Sequence, residues 1–261
     1  MADREKIVRY FRAGGDEELA SRLLDLAENA SKTGRYRISD FLDPHSANVA
    51  EIIAANLGTV HMETYGGFQP AERARIAFID NNYQGKVDFN LACFLIQWDK
   101  RYYNLGHRDI LGAFMGMGCK REILGDIVLV DEGAQFVCDK EFTNYVNSNL
   151  TQIGRAPVTL KVITPEELQV KEEKVKIIHA TVAALRLDSV AAAGYGTSRS
   201  RMADEIKGKN VKVNWKDAKN AAQAINEGDV ISFRGRGRVE VEEVRGVTKK
   251  GRLSIQLKRY I

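Results

Sequence analysis

The chain has 261 residues, 44% of them hydrophobic, and a formal net charge of +4; that length predicts two domains, or three small ones, with real cores. No apolar run approaches the length of a membrane-spanning helix, and the opening "MADREKIVRY" has no apolar signal region, so a soluble, cytoplasmic chain with no membrane partner is expected. Cys93, Cys119 and Cys138 stand singly in apolar stretches, which argues against a disulfide frame or a zinc site and for a reducing compartment.

In chain order, "DREKIVRYF" reads as a helix, and "DEELASRLLDLAENASKTG" sets Leu19, Leu23, Leu24, Leu26 and Ala27 on one helical face before Gly34. "SDFLDPHS" reads as a break before the helix "ANVAEIIAANLG", and "TVHMETYGGFQPAERARIAFIDN" reads as strand, glycine turn and strand. Arg35, Arg37, Arg73 and Arg75 are expected on a shared surface of this first domain, residues 1–80. Over 81–168 the order is strand ("DFNLACFLIQWD"), helix ("HRDILGAFMGMG"), two strands ("GDIVLVDEG", "AQFVCDK"), helix ("EFTNYVNSNL") and strand ("PVTLKVIT"). That is the split ferredoxin-like, RRM-like order, in which RNA-recognition modules stack bases on sheet aromatics. "LQVKEEKVKIIHATVAALRLDSVAAAGYG" begins as a strand or linker, then comes a helix capped by Ser198 and running through "RSRMADEIKG", the strand "NVKVN", and further strands to the end. The class is therefore α+β and multidomain, with a last domain over 181–261.

Charge is divided along the chain. Residues 181–261 hold 17 Lys and Arg against 9 Asp and Glu, or +8, whereas residues 1–180 are at −4. A basic third on an acidic body points to a polyanionic partner, although a solvated basic face would count the same. Arg199 and Arg201 lie at the start of a helix, where the helix dipole disfavours cations. A phosphate held jointly by backbone N–H groups and arginine forks would resolve that conflict. Lys207, Lys209, Lys212 and Lys216 continue the positive charge. The plainer readings are that Arg199 or Arg201 pairs with Asp188 or Asp204, that Lys212 is the wet side of a strand, and that Asn214 only shapes a turn. Trp215 is core, an exposed anchor or a base-stacking platform.

"ALRLDSVAAAGYGTSRSRMADEIKGKNVKVN" followed by "EGDVISFRGRGRVEV" resembles the RNA-binding module named after the fourth small-subunit ribosomal protein, the S4-type or alpha-L module. The pattern is carried by Arg186-Leu187-Asp188, Ser198-Arg199, Ala203, Ile206, Val211, Val213-Asn214 and Gly228-Asp229. It implies binding to structured RNA through a helical pair and the adjacent loop. The chain departs from the module where glycine is usual, having Lys209 before Val211 and Trp215 after Asn214. "ISDFLDPHS", "YGGFQPAERARIAF", "LGHRDILGAFMGMGCKREILGDIVL" and "APVTLKVI" extend the likeness to nearly the whole chain, which resembles the bacterial YlmH-type family of ribosome-associated quality-control proteins. That resemblance implies obstructed large ribosomal subunits, ribosomal RNA and peptidyl-tRNA as partners, support of alanine tailing with its elongation factor, and a link to cell division. A monomer is expected.

Enzyme chemistry finds little footing. "LGHRDILGAFMGMG" is neither a phosphate-binding loop nor a dinucleotide turn, and adjacent His107, Arg108 and Asp109 do not make convergent catalytic side chains. His45, His61 and His179 have no metal-ligand spacing. A pseudouridine-synthase type of RNA-modifying enzyme needs a larger catalytic fold than 81–168 offers, and a protein-binding scaffold linked to cell division is the other alternative. No catalytic residue, metal or cofactor is expected. The RNA-contact candidates are Arg186, Ser198, Arg199, Arg201, Lys207, Lys209, Lys212, Asn214 and Trp215, with Arg108, Lys120 and Arg121 as a second set on the middle domain.

Overall fold

The structure is a computed structural model that describes residues 4–12, 14–169, 175–248 and 251–260. The chain divides into two compact units, residues 1–171 and 172–261.

The first unit begins with helices α1 (Arg4–Arg12) and α2 (Glu17–Thr33). Helix α2 buries Ala20, Leu23, Leu24, Ala27 and Ala30 on one face and ends where Gly34 turns left-handed, as a glycine after a last helical turn does. Next come strand β1 (Tyr36–Leu42), helix α3 (Pro44–Leu57) and strands β2 (Val60–Tyr65) and β3 (Ala74–Asp80), the strands paired antiparallel in the order β1-β3-β2. The Asp43 carboxylate accepts from the Ser46 N–H at 2.8 Å ahead of Pro44, which together start α3. α2 and α3 cover one face of the sheet around Leu23, Leu24, Ile53, Ile76 and Phe78.

Strand β1 corrects the expected break at "SDFLDPHS". Its pairing with β3 shifts between Ile38 and Phe41, and this bulge disrupts the alternation of period two that marks a strand in sequence. The buried Ser39 hydroxyl at the bulge accepts from Ile76 N–H and donates to the Asp40 carbonyl, so it takes up two backbone groups at the irregularity.

The remainder of the first unit is β4 (Leu91–Gln97), α4 (His107–Gly116), β5 (Leu124–Val130), β6 (Gly133–Asp139), α5 (Thr143–Asn149), the short pair β7 (Gln152–Ile153) and β8 (Ala156–Pro157), and β9 (Thr159–Ile163). The strands form an antiparallel sheet in the order β5-β6-β4-β9. One face packs Phe94, Ile96, Phe136 and Cys138 against Ile110 and Phe114 of α4 and Val146 of α5. The other face, Cys93, Leu95, Val137 and Ile163, is covered by Phe41 of β1 together with Phe68 and Leu168. Gly133 opens β6 at φ 152°, and a Cβ there would lie 1.9 Å from the Ile96 carbonyl oxygen, so only glycine lets β6 close on β4.

Two inward arginines join the two sheets. The Arg75 side chain donates to the Ser39 carbonyl at 2.8 Å and to the Phe89 and Asn90 carbonyls at 3.2 Å, and pairs with Asp139 at 3.2 Å. The Arg73 guanidinium donates to the Phe41, Leu124 and Arg121 carbonyls, while Asp126 accepts from the Glu72 and Arg73 backbone N–H groups. The expected surface of four arginines is corrected accordingly: Arg75 is 7% exposed, and its guanidinium serves main-chain carbonyls where the bulged strand and the 81–90 segment meet. Arg35 and Arg37 instead line a groove with Tyr36 and Tyr83.

The second unit holds β10 (Val175–Val182), α6 (Leu187–Tyr195), α7 (Arg199–Lys207), β11 (Val211–Val213), β12 (Lys216–Asp217), β13 (Val230–Phe233), β14 (Gly237–Val247) and β15 (Leu253–Tyr260). Its antiparallel sheet has the order β10-β15-β14-β13-β11-β12. Of the stretch from Leu168 expected to begin as a strand or linker, residues 170–174 lie outside the described residues, and from Val175 it is strand β10. Leu187, Val190, Ala191 and Tyr195 of α6 and Met202 and Ile206 of α7 pack on Val211, Ile231, Val239, Val241, Ile255 and Leu257. The packing is close: a Cβ on Gly194 would meet Val239 Cγ1 at 2.7 Å.

Arg75→Ala removes the cation paired with the Asp139 carboxylate, 13% exposed, and one donor from each of three carbonyls inside the first unit. It is expected to cost about 3–5 kcal/mol in urea unfolding of the full chain. Arg101→Ala, at an exposed pair with Asp99, is expected to cost no more than about 1 kcal/mol.

Candidate RNA-binding site

The site in the second unit is organised by Asp188, in the first turn of α6. The Asp188 N–H donates to the Ala221 carbonyl and the Leu187 N–H to the Gln223 carbonyl, which fixes the start of the helix on the 220–225 segment. The Asp188 carboxylate, 8% exposed, accepts from Arg186 Nε and Nη2 at 3.2 Å and from Arg199 Nη2 at 2.8 Å, and from the Ser189 hydroxyl at 3.3 Å. Burial pushes its pKa up, but the hydrogen bonds and charges of Arg186 and Arg199 outweigh that and hold the carboxyl below its ordinary value. It stays ionised, balancing one of the two guanidinium charges. Arg186 and Arg199 keep 43% and 55% of their side chains exposed.

Helix α7 begins beside this clamp. The Ser198 hydroxyl accepts from the Arg201 N–H at 3.2 Å, and Met202 and Ile206 face the core, so Arg201 is turned outward. Among the described residues no carboxylate pairs with Arg201, Lys207 or Lys209, all exposed. Lys212 lies 3.9 Å from Asp217 across the β11–β12 hairpin, a weak, exposed pairing. Arg186, Ser198, Arg199 and Arg201 are thus brought to the α6 and α7 starts. Lys207 and Lys209 close the far end of α7, and Lys212 lies on β11.

Two tight turns take the place of the usual glycines. Lys209 follows Gly208 at φ 57°, and Asn214 and Trp215 stand at φ 50° and 64° between the paired Val213 and Lys216. A two-residue hairpin turn with both residues left-handed favours Asn-Gly; Asn214 fits, and Trp215 carries the steric cost. Asn214 is locked by its amide to the Asp229 carboxylate at 2.8 Å, its side-chain oxygen to Val230 N–H at 2.9 Å, and its own N–H to the Val230 carbonyl at 2.8 Å. Its turn-shaping role is therefore real, and it sets where Trp215, partly exposed, stands.

The second set is divided. Arg108, on the first turn of α4, and Lys120 are exposed. Arg121 is turned inward, donating to the Leu124 and Gly125 carbonyls at 2.8 and 3.1 Å; burial, with Arg73 nearby, brings its pKa down to about 10. Asp109 caps α4 by accepting from Gly106 N–H at 2.8 Å, so "HRD" is a helix start. The sheet of this region offers no aromatic platform: Phe94 and Phe136 stack on each other at 4.9 Å beneath the helices, and the opposite face is aliphatic and covered.

The remaining reactive groups are quiet. The three cysteines are buried thiols, with burial pushing Cys93 up to about 11 and Cys138 up to about 12, which keeps them protonated. Among the described residues no group of three or more His, Cys, Asp or Glu could hold a metal ion, and no helix is long and apolar enough to cross a membrane. Sequence reading missed one charged feature, Arg234-Gly235-Arg236-Gly237-Arg238 at the start of β14; alternating Arg and Gly between two strands was the available signal.

Comparison with known proteins follows the same order of segments. Residues 15–83 match the family model "YlmH, N-terminal", residues 85–167 "Putative RNA-binding domain in YlmH", and residues 185–231 "S4 domain". The chain is 34% identical to "Ribosome-associated protein quality control protein P2" of Bacillus subtilis (strain 168) over 97% of its own length and 98% of the relative's. A structure titled "Cell division protein ylmH from Streptococcus pneumoniae" aligns with TM-score 0.51 at 23% identity, over 59% of this chain and 95% of that one, a likeness of fold. Three family segments in sequence, and one relative matched end to end, leave a single assignment: the chain belongs to the YlmH family.

Proposed function

We propose that this chain is a noncatalytic RNA-binding factor of ribosome-associated quality control, which anchors to ribosomal RNA through its second unit. The observation that carries the reading is the Asp188 clamp: it orients Arg186 and Arg199 at the surface and neutralises one charge of two, leaving a positive seat beside the free N–H groups of the α7 start. Phosphate is the anion such a seat fits, and phosphate contacts position an RNA without reading its sequence. The S4 match over 185–231 and the Bacillus relative's name support the same reading.

The wider assembly is part of the proposal. The large ribosomal subunit carrying peptidyl-tRNA is the complex engaged, and alanine tailing, performed by the ribosome with an elongation partner, is the process supported. Residues 1–80 and 81–168 act as two modules toward tRNA or protein, the second having the ferredoxin-like strand order β5-β6-β4-β9. With its sheet covered on both faces, that module offers exposed Arg108 and Lys120 at the α4 side in place of a base-stacking platform.

The test is capture of native complexes by tagged full-length protein, followed by structural imaging. Large subunits bearing peptidyl-tRNA are the expected cargo; recovery without ribosomal RNA would overturn the reading. Arg201→Glu, at a side chain with no acidic partner among the described residues, is expected to weaken RNA binding by about tenfold with the melting temperature unchanged. Arg199→Glu sets a second carboxylate against Asp188 and is expected to lose stability as well as binding.

Asp188→Asn gives a second check, because an amide cannot hold two guanidinium forks. It is expected to weaken RNA binding comparably. A carboxyl whose folded pKa is depressed stabilises the fold above its unfolded value, 3.8, and loses that contribution as pH falls toward the folded one. The stability gap between wild type and Asp188→Asn is therefore expected to be full above pH 3.8 and to close below it, as measured by urea unfolding across pH.

A further inference from the structure

We propose a second RNA-phosphate seat in the C-terminal unit, formed by Arg234, Arg236 and Arg259 at the β13–β14 turn and the last strand. It lies beyond residues 185–231, the segment matched as an S4 domain, and rests on the reading of this unit as an RNA binder.

The turn is built for close approach. Phe233 pairs with Gly237, so Arg234, Gly235 and Arg236 make the whole connection, with Gly235 and Gly237 at φ 78° and 79°. A Cβ at Gly237 would lie 2.7 Å from the Tyr260 carbonyl oxygen, so glycine brings the arginine-bearing turn against the end of β15. The Arg236 guanidinium sits 5.8 Å from the Phe233 ring centre and donates to the Tyr195 carbonyl at 3.2 Å. That of Arg259 sits 5.4 Å from the Tyr195 ring, and Arg238 is 5.1 Å from Tyr260. Tyr195 meets Phe233 edge to face at 5.3 Å, so the aromatic frame is continuous. Burial pushes the Tyr195 pKa up while Arg259, Arg236 and Arg238 pull against it, which places three positive charges around one ring.

Among the described residues no carboxylate pairs with Arg234, Arg236 or Arg259, and Arg259 Nε is buried without a hydrogen-bond acceptor. A helix C-terminus accounts for Arg236 at the Tyr195 carbonyl; it does not account for the other two. Guanidiniums that stack on rings lose rotamer freedom while their N–H edges stay available to a phosphate. An RNA strand is the polyanion favoured here, because Tyr195, which receives Arg236, is three residues before Ser198. The α6–α7 connection thus links this seat to Arg199 and Arg201, and a run of phosphates can follow both.

The test compares full-length wild type, Arg234→Glu with Arg236→Glu, Arg234→Glu alone, and Arg201→Glu, each titrated with a short fluorescein-labelled RNA stem-loop over a salt series. The double variant is expected to bind about tenfold more weakly, with a salt slope shallower by about 1 for each phosphate it no longer holds. Arg234→Glu is expected to show part of the same weakening; its side chain is exposed and has no hydrogen-bond or ion-pair partner among the described residues. An unchanged affinity and slope in both Arg234 variants, with Arg201→Glu still impaired, overturns the second seat and leaves the first. No RNA binding by wild type overturns both. Polyglutamate of matched length displacing the RNA from wild type but not from the double variant also overturns it, since the seat would then be a general anion site.

Discussion

One buried carboxylate sets the geometry of the second unit. Asp188 is too enclosed to remain charged alone, and the residues that stabilise it are Arg186, two positions earlier, and Arg199, at the start of the next helix. The pairing therefore joins the beginnings of α6 and α7. It also leaves one positive charge uncompensated and pins two long side chains, so an anion that arrives takes away little further rotamer entropy. The ion pair as a structural bond and the arginines as an RNA seat are not competing accounts of these residues, because the same contact performs both tasks.

The first unit uses arginine in the opposite way. Arg73 and Arg75 spend most of their N–H groups on main-chain carbonyls, and the apolar contact of Phe41, Phe68 and Leu168 with the sheet of β4, β5, β6 and β9 is sealed beside them. A sheet with this strand order is freely exposed on one face only if no second layer is added to it, and here the layer is present. Any nucleic-acid contact by residues 81–168 falls to helix ends and loops, where Arg108 and Lys120 are exposed.

Much of this is legible in the chain. The helices announce themselves through apolar spacing and through Gly34 and Ser198 at their ends, and the element order of 81–168 follows from changes of period. The Arg186, Asp188 and Arg199 constellation is visible as residues, and a pairing of Arg199 with Asp188 is one of the arrangements their spacing allows. Strand β1 is hidden because a bulge moves Phe41 and Leu42 out of alternation. Arg73, Arg75 and Arg121 look like surface charge because most of their partners are main-chain carbonyls, which every residue carries and no sequence pattern marks. The Arg234–Arg238 stretch needs the aromatic frame of Tyr195, Phe233 and Tyr260, brought together from three separate elements.

The two missing glycines bear on how firmly the fold dictates its turns. A side chain at positive φ costs about 1–2 kcal/mol, and both Lys209 and Trp215 accept that conformation. Around Trp215 the reason is plain: Asn214 is held on three sides by Asp229 and Val230, and Val213 and Lys216 remain paired, so the hairpin has no other way to close. Around Lys209 the Asn210 N–H reaches the Glu205 carbonyl at 3.0 Å, which ends α7 in the left-handed manner whatever residue is present. The backbone of this unit is thus set by hydrogen bonds at its corners, and a lysine and a tryptophan are displayed from those corners at the expense of local strain. Strain of that kind persists only where the surroundings over-determine it, and both corners adjoin β11, the strand that carries Lys212.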